Sequence, residues 1–175
     1  MSDALIIWFC GMSGAGKTSI ANHLEKELNA EKVSTYIIDG DEIRNSIHKN
    51  LSFTEDDIKE NNKLIAELCI KNKKLFDVIM VPIISPFEES RVLARKMIGS
   101  KFNLIFLKTS IDELINRDTK GLYKSAIDGN INNLIGFSES NPFEVPKNPD
   151  LIIDTENECL EKSAHRLLKF IKQKS

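Results

Sequence analysis

The sequence has almost no excess charge and no long apolar run, and both shortages exclude classes of protein. Its 24 lysines and arginines and 26 aspartates and glutamates give a formal net charge of −2, without the basic excess of a general nucleic-acid binder. The apolar run at residues 4–10 is too short to span a membrane and lacks the preceding basic segment of a signal peptide. We therefore expect neither a nucleic-acid partner nor a membrane partner.

Cysteine is also scarce. Cys10, Cys69 and Cys159 are an odd number of thiols without the spacing of a metal site, so we expect reduced cysteines and a cytoplasmic protein. The 175 residues include 41% hydrophobic and 29% charged side chains, a balance typical of a globular chain that buries its own core. We predict a single domain over residues 1–175.

Apolar segments alternate with helical patterns along the chain. Strands are predicted at residues 5–10, 33–38, 76–84, 102–107 and 151–153. Helices are predicted from Lys17, at 41–49, after a capping Thr54, and at 91–98, 111–117 and 156–173. Strands that alternate with helices indicate an α/β fold, a central parallel β-sheet flanked by helices.

Residues 119–149 differ from the rest of the chain. They hold glycines at 121, 129 and 136, prolines at 142, 146 and 149, and few long apolar stretches. We interpret this stretch as a mobile excursion from the domain, and call it the lid segment.

The sequence GMSGAGKT at residues 11–18 matches the phosphate-binding pattern G-x-x-x-x-G-K-[ST] between a predicted strand and a predicted helix. Its glycines let backbone N–H groups surround a phosphate, Lys17 reaches the β- and γ-phosphates, and the Thr18 hydroxyl ligates Mg²⁺. This predicts a P-loop NTPase fold that binds ATP and Mg²⁺. The predicted nucleotide contacts are Gly11, Ser13, Gly14, Ala15, Gly16, Lys17, Thr18 and Ser19.

No guanine-reading N-K-x-D sequence is present, because the candidates at residues 62–65 and 72–75 lack the acidic residue. A small P-loop kinase is therefore the leading class. Asp39 and Asp41 end the second strand, where the ligands of a parallel sheet bind. They suit metal binding and acceptor activation, although a solvated Asp-Gly turn has the same pattern.

The sequence resembles the adenylyl-sulfate (APS) kinase family over almost the whole chain. The similar segments are IWFCGMSGAGKTSIA, IDGDEIR, LSFTEDDIKEN, IISPF, NRDTKGLYKSAIDGNI and NPFEVPKNPDLIIDT. The resemblance implies ATP-dependent phosphorylation of a ribose 3′-hydroxyl on a small nucleotide acceptor, with a lid that closes over both substrates. Family members are often dimers, so the apolar face of the last helix packs on the sheet or on a second subunit of a homodimer.

The resemblance also implies roles for individual residues. Asp41 is the expected catalytic base or the carboxylate that orients the acceptor, beside catalytic Lys17 and Asp39, and Asp39 lies with Thr18 near the metal; which of the two aspartates is the base stays open. Arg117 contacts ATP. The residues implied for the acceptor, besides Asp41, are Arg44, Phe53, Asn61, Ile84, Ser85, Lys120, Gly121 and Leu122.

Three positions depart from the family pattern. Ile58 and Glu88 stand where the family has arginines, and Leu134 stands where it has a phenylalanine that stacks on the acceptor base. Arginine pairs with anions in a geometrically specific way, so these changes favour an acceptor whose tail is less anionic or differently placed and whose base is smaller. The default acceptor is adenylyl sulfate, as in sulfate assimilation. The alternatives are another conjugate, such as cytidine diphosphoramidate in capsule biosynthesis, and a nucleotide-binding module without catalysis.

Overall fold

The described residues form one central sheet of five parallel strands. The structure, a computed structural model, describes residues 2–40, 43, 51–139 and 141–174. The strands follow the order β2-β3-β1-β4-β5, with β1 next to β3 at the pair Leu5–Val78 and next to β4 at the pair Ile6–Phe102. Their bounds are β1 Leu5–Cys10, β2 Thr35–Ile37, β3 Val78–Val81, β4 Phe102–Lys108 and β5 Leu151–Asp154.

Helices cover both faces of this sheet, as the sequence predicts. We label them α1 Lys17–Ala30, α2 Glu55–Asn72, α3 Glu88–Ile98, α4 Ile111–Arg117, α5 Leu122–Ile127 and α6 Leu160–Lys174. The helix predicted at 41–49 falls, except for residue 43, outside the described residues. Helix α5 is a short helix inside the lid segment, where the sequence pattern predicts none. Among the helices of the described ranges, none has the length and apolar character needed to cross a membrane.

Strand β1 contributes side chains to the core on both faces of the sheet. Its side chains alternate, so that Phe9 packs with residues of α1 and α6 and Trp8 packs with residues of α2 and α3. A strand buried on both faces needs the continuous apolar run that the sequence has there. Helix α2 begins as predicted, because the Thr54 hydroxyl oxygen accepts a hydrogen bond from the Asp57 amide at 3.3 Å.

The strand order determines where a ligand can bind. All five strands are parallel, so their carboxyl ends meet at one edge of the sheet, beside central β1. The glycine-rich loop follows β1, Asp39 follows β2, and residues 82–85 follow β3. The candidate site is built at this edge.

Candidate active site

The loop after β1 has the geometry of a phosphate cradle. Gly16 has a φ of 92°, a left-handed conformation that favours glycine, and helix α1 begins at the next residue. The Lys17 ammonium group donates hydrogen bonds to the carbonyl oxygens of Gly11, at 2.8 Å, and Met12, at 2.7 Å. The lysine therefore folds back over the loop, with its charge at the N-terminus of α1, where anions are stabilised.

Thr18 and Asp39 meet across the gap between the ends of β1 and β2. The Thr18 hydroxyl lies 3.4 Å from the Asp39 carboxylate and donates a hydrogen bond to it. One hydroxyl and one carboxylate beside a phosphate cradle suit Mg²⁺, which keeps several waters and shares its remaining ligands with substrate phosphates. The pair thus fits the predicted metal site, although the described residues contain no cluster of three metal-binding side chains.

A cavity of about 630 Å³ extends from this cradle toward α2 and the lid segment. Its volume is in the range of sites that enclose a nucleotide-sized ligand. The residues that line it at the cradle end are Ser13, Gly14, Gly16, Lys17, Thr18, Ser19, Asp39 and Gly40; those at the far end are Phe53, Ile58, Asn61, Asn62, residues 82–86, Thr119, Lys120, Leu122, Ile131, Asn133, Leu134 and Ile135.

Gly40 follows Asp39 where the backbone comes close to Ile83. A Cβ atom at Gly40 would lie 2.6 Å from Cγ2 of Ile83, a distance at which something must move. Both residues line the cavity. The glycine of the Asp-Gly-Asp sequence is therefore required by close packing of the cavity wall.

Helix α2 and the lid segment together form the far end of the main cavity. Asn61 is buried in α2 and lines the cavity, while the half-exposed Phe53 ring lies just before this helix. The Asn141 side-chain amide donates hydrogen bonds to the carbonyl oxygens of Phe53, at 3.0 Å, and Asn133, at 3.2 Å. Asn141, for which no role is predicted from the sequence, thus connects the lid segment to the loop that carries Phe53.

The three departures from the family pattern have different surroundings. Ile58 and Leu134 line the cavity, as expected of residues that contact an acceptor. Glu88 does not: its carboxylate pairs with the buried Arg91 at 2.7 Å. The interpretation of Glu88 as a group facing the acceptor is therefore corrected, because Arg91 lies one helical turn away and needs a counter-charge where water does not reach it.

The lid segment is fastened to the cradle through α5. The Asp118 carboxylate accepts hydrogen bonds from the backbone amides of Tyr123, at 3.1 Å, and Lys124, at 3.0 Å. These hydrogen bonds lower the pKa of Asp118 below its usual value, and the bond from Lys124 has the largest effect. The Tyr123 hydroxyl donates to the Ser13 carbonyl oxygen at 2.7 Å. Lys120 and Leu122 line the cavity, whereas the predicted acceptor contact Gly121 is not among its lining residues.

A second, smaller cavity of about 330 Å³ lies beyond the cradle, at the ends of β1 and β5. Gly16 and Ser19 border both cavities. The predicted ATP contact Arg117 lines only the second, where its guanidinium donates to the Thr155 carbonyl oxygen at 2.6 Å. The remaining residues that line it are Ala15, Ile20, Glu158, Cys159, Leu160 and Ser163.

Two polar groups on residues that line the second cavity have no hydrogen-bond partner among the described residues. They are the Ser163 hydroxyl, on a residue only 1% exposed, and one carboxylate oxygen of Glu158. Buried polar groups in proteins are nearly always paired, and these two oxygens are themselves shielded from solvent. Neither residue is predicted from the sequence: Glu158 lies between β5 and α6, and Ser163 lies within α6.

Most of the predicted site residues lie together at this edge of the sheet. The second cavity is lined by two of them, Ala15 and Arg117. The main cavity is lined by Ser13, Gly14, Gly16, Lys17, Thr18, Ser19, Asp39, Phe53, Asn61, Ile84, Ser85, Lys120 and Leu122. Gly11 is buried beneath the cradle and contributes a carbonyl oxygen to Lys17. The expected base Asp41 and the expected acceptor contact Arg44 lie outside the described residues.

Comparison with known proteins gives a consistent result. The family model for adenylylsulphate kinase matches residues 3–154. The adenylyl-sulfate kinase of Oceanobacillus iheyensis is 38% identical over 173 residues, which cover 97% of this chain and 84% of the relative. That of Bacteroides thetaiotaomicron is 41% identical over 172 residues, covering 96% and 83%.

A solved structure extends the comparison to three dimensions. The Mycobacterium tuberculosis APS kinase CysC, in complex with AMPPNP and APS, superposes with a TM-score of 0.90 at 31% identity. The match covers 98% of this chain and 99% of that one. With a P-loop fold, a phosphate cradle and this similarity over nearly its whole length, the chain belongs to the adenylyl-sulfate kinase family, kinases that transfer a phosphoryl group from ATP to a hydroxyl group.

Proposed function

We propose that this kinase transfers the γ-phosphoryl group of ATP to the ribose 3′-hydroxyl of a nucleotide conjugate, with adenylyl sulfate as the acceptor and 3′-phosphoadenylyl sulfate as the product. The observation that carries the proposal is the continuity of the main cavity. One cavity joins the phosphate cradle around Lys17 to the pocket around Phe53, Asn61 and Ser85. Two nucleotides can thus meet end to end, with the γ-phosphate of one beside the sugar of the other.

Lys17 has a defined part in this transfer. Its ammonium group now donates to two carbonyl oxygens of the loop, and we expect it to turn to the β- and γ-phosphates when ATP binds. There it stabilises the charge that develops on the transferred group. A bound Mg²⁺, held by Thr18, Asp39 and the phosphates, would neutralise further phosphate charge.

Asp41 is the proposed base. It stands one residue past Gly40, which lines the cavity beside Asp39. The 3′-hydroxyl oxygen forms a bond to the γ-phosphorus, the bond from that phosphorus to the β-phosphate oxygen breaks, and the hydroxyl proton passes to the Asp41 carboxylate. The lid segment excludes water, so that the phosphoryl group reaches the sugar and not solvent.

The base of ATP is proposed to occupy the second cavity. Gly16 and Ser19 border both cavities, so a nucleotide whose phosphates lie in the cradle can extend into the second. Arg117 lies there and offers a planar face to a ring.

A second candidate acceptor is favoured by the walls of the main cavity. Among its described lining residues only Lys17, Asp39 and Lys120 are charged. Ile58 is packed with Phe87 and Ile135 in an apolar cluster. Such a wall suits a conjugate with a small base and a differently placed tail charge, such as cytidine diphosphoramidate, because Ile58 cannot pair with an anionic group beside it.

The deciding experiment is initial rates with MgATP and each acceptor side by side. Turnover of adenylyl sulfate with ordinary efficiency, and not of the cytidine conjugate, supports the first candidate, and the reverse result supports the second. Mass and phosphorus NMR spectra of the product locate the new phosphate on the 3′-oxygen or elsewhere. With Asp41→Asn, we expect ATP binding to persist and turnover to be lost; unchanged turnover would remove Asp41 as the base.

ATP binding without turnover of either acceptor would point instead to the non-catalytic module, which needs neither aspartate. A homodimer and a cytoplasmic location remain proposals from the sequence, the latter supported by the three free thiols. Sedimentation analysis tests the dimer.

A further inference from the structure

Three buried residues converge on Ser85 from two different elements. The Trp8 indole N–H, on β1, donates a hydrogen bond to the Ser85 hydroxyl oxygen at 3.2 Å. Arg91, on α3, donates to the Ser85 carbonyl oxygen at 2.6 Å, and the Cys10 thiol lies 3.6 Å from that oxygen. Burial raises the pKa of Cys10 to about 11, so this thiol keeps its proton and is a donor.

These contacts hold Ser85 in an unusual backbone conformation. Its φ is 47°, in the left-handed region that residues with a side chain seldom adopt. Ser85 is buried and lines the main cavity. The surroundings therefore fix both the backbone and the side chain of one residue in the cavity wall.

The direction of the Trp8 bond determines what Ser85 can do. An indole N–H is a donor only, and a serine hydroxyl has one hydrogen and two lone pairs. Because the hydroxyl oxygen accepts from Trp8, its hydrogen is left to donate to another atom. In a residue of the cavity wall, that hydrogen is available to a ligand.

We propose that Trp8 is a positioning residue for the acceptor nucleotide: it makes the Ser85 hydroxyl a hydrogen-bond donor toward an oxygen or ring nitrogen of the acceptor. The inference rests on the proposed function, since the acceptor must occupy this part of the cavity. It assigns a role beyond core packing to Trp8, which is fully buried in β1.

Trp8 gives a direct optical readout, because it is the chain's one tryptophan. Ser85→Ala removes the acceptor of the indole N–H, and we expect the Trp8 emission maximum of the ligand-free protein to move to shorter wavelength. Phe102→Leu is the matched control, because it removes a ring 5.6 Å from Trp8 but keeps the hydrogen bond from Trp8 to Ser85. We expect this variant not to show the shift of the emission maximum. An unmoved maximum in Ser85→Ala would overturn the hydrogen bond and the proposal with it.

The kinetic test uses the acceptor that the wild-type enzyme phosphorylates. In Trp8→Phe we expect the KM for the acceptor to rise about 3- to 10-fold, the effect of one lost hydrogen bond, with the KM for ATP unchanged. Ser85→Ala should show a similar rise, and the double variant should show no further one, because Trp8 acts on the acceptor only through the Ser85 hydroxyl.

The outcomes separate this inference from the proposed function. If the wild-type enzyme turns over an acceptor but the acceptor KM of Ser85→Ala and Trp8→Phe matches that of Phe102→Leu, the positioning role is wrong and the function stands. If Trp8→Phe does not fold, Ser85→Ala alone decides, through its emission and its acceptor KM. If the wild-type enzyme phosphorylates neither conjugate, the proposed function fails and this inference fails with it.

Discussion

Tyr123 and Ser13 are 110 positions apart in the chain, yet the tyrosine hydroxyl donates a hydrogen bond to the serine carbonyl oxygen at 2.7 Å. Tyr123 belongs to helix α5 of the lid segment, and Ser13 belongs to the phosphate cradle. The tyrosine ring is buried and meets Phe137 edge to face. The lid segment therefore supports the backbone whose amide groups are expected to bind the ATP phosphates.

Loss of this hydrogen bond should weaken ATP binding. Tyr123→Phe keeps the ring and removes the donor, so we expect the KM for ATP to rise about 3- to 10-fold, with a free energy of unfolding lower by about 1 kcal/mol. Steady-state kinetics and urea denaturation measure the two effects. Tyr36→Phe, on a ring stacked against Phe76 in the region of β2, is the control and should leave the KM for ATP unchanged.

Ionisation of Tyr123 should lower the free energy of unfolding at alkaline pH. Burial, with a smaller effect of the Asp118 carboxylate, raises the pKa of Tyr123 from 10.0 to about 12. The unfolded chain ionises this phenol near pH 10 and the folded chain only near pH 12. Its contribution to stability is thus complete below pH 10 and is lost as the pH rises through 12. Urea denaturation gives the free energy of unfolding at pH 9 and at pH 11. Between these two pH values it should decrease less for Tyr123→Phe than for the wild type. Equal decreases would contradict the raised pKa of Tyr123.

Glu88 should matter for stability through Arg91. The arginine side chain is 1% exposed and donates two hydrogen bonds to the Glu88 carboxylate, at 2.7 and 3.0 Å. Glu88→Gln leaves a buried guanidinium without its counter-charge, and we expect a free energy of unfolding lower by about 3 kcal/mol. The neighbouring Glu89 pairs with Lys59 in solvent, so Glu89→Gln should have no resolvable effect. Equal effects of the two substitutions would refute this role of Glu88.

Local patterns in the sequence were enough to predict the sheet and the phosphate cradle. The β1 run is apolar throughout, and GMSGAGKT has fixed spacing, so both depend on residues that are neighbours in the chain. The contact between Trp8 and Ser85 joins residues 77 positions apart, and no periodic pattern reports it. For Glu88, a motif match identifies a position but not the direction of its side chain, which Arg91 determines.

Gly40 should be intolerant of even the smallest side chain. In Gly40→Ala the new methyl group would meet Ile83 at 2.6 Å, so the cavity wall beside Asp39 must move. We expect kcat/KM to fall about 10-fold or more, because small displacements of reacting groups are costly, with the protein still folded by circular dichroism. Ile83→Ala removes the obstructing methyl group, so the double variant should recover activity relative to Gly40→Ala. Failure of this rescue would show that the contact is not the cause.

The three thiols differ in their surroundings. Cys10 and Cys69 are fully buried, and burial raises their pKa values to about 11 and about 12. Cys159 is exposed and lines the second cavity. Since the thiolate is the reactive form, the folded protein should present one reactive thiol, beside the proposed position of the ATP base.

Thiol labelling therefore tests the second cavity without any acceptor. With a chromogenic disulfide reagent at pH 8, we expect one thiol per chain to react in the folded protein and three in urea. Saturating ATP should slow the labelling of Cys159 several-fold, because a base in the cavity would cover its side chain. Cys159→Ser is the control that removes the fast phase. Unchanged labelling at an ATP concentration that saturates binding would place the base outside this cavity, since a ligand against the thiol must restrict access to it.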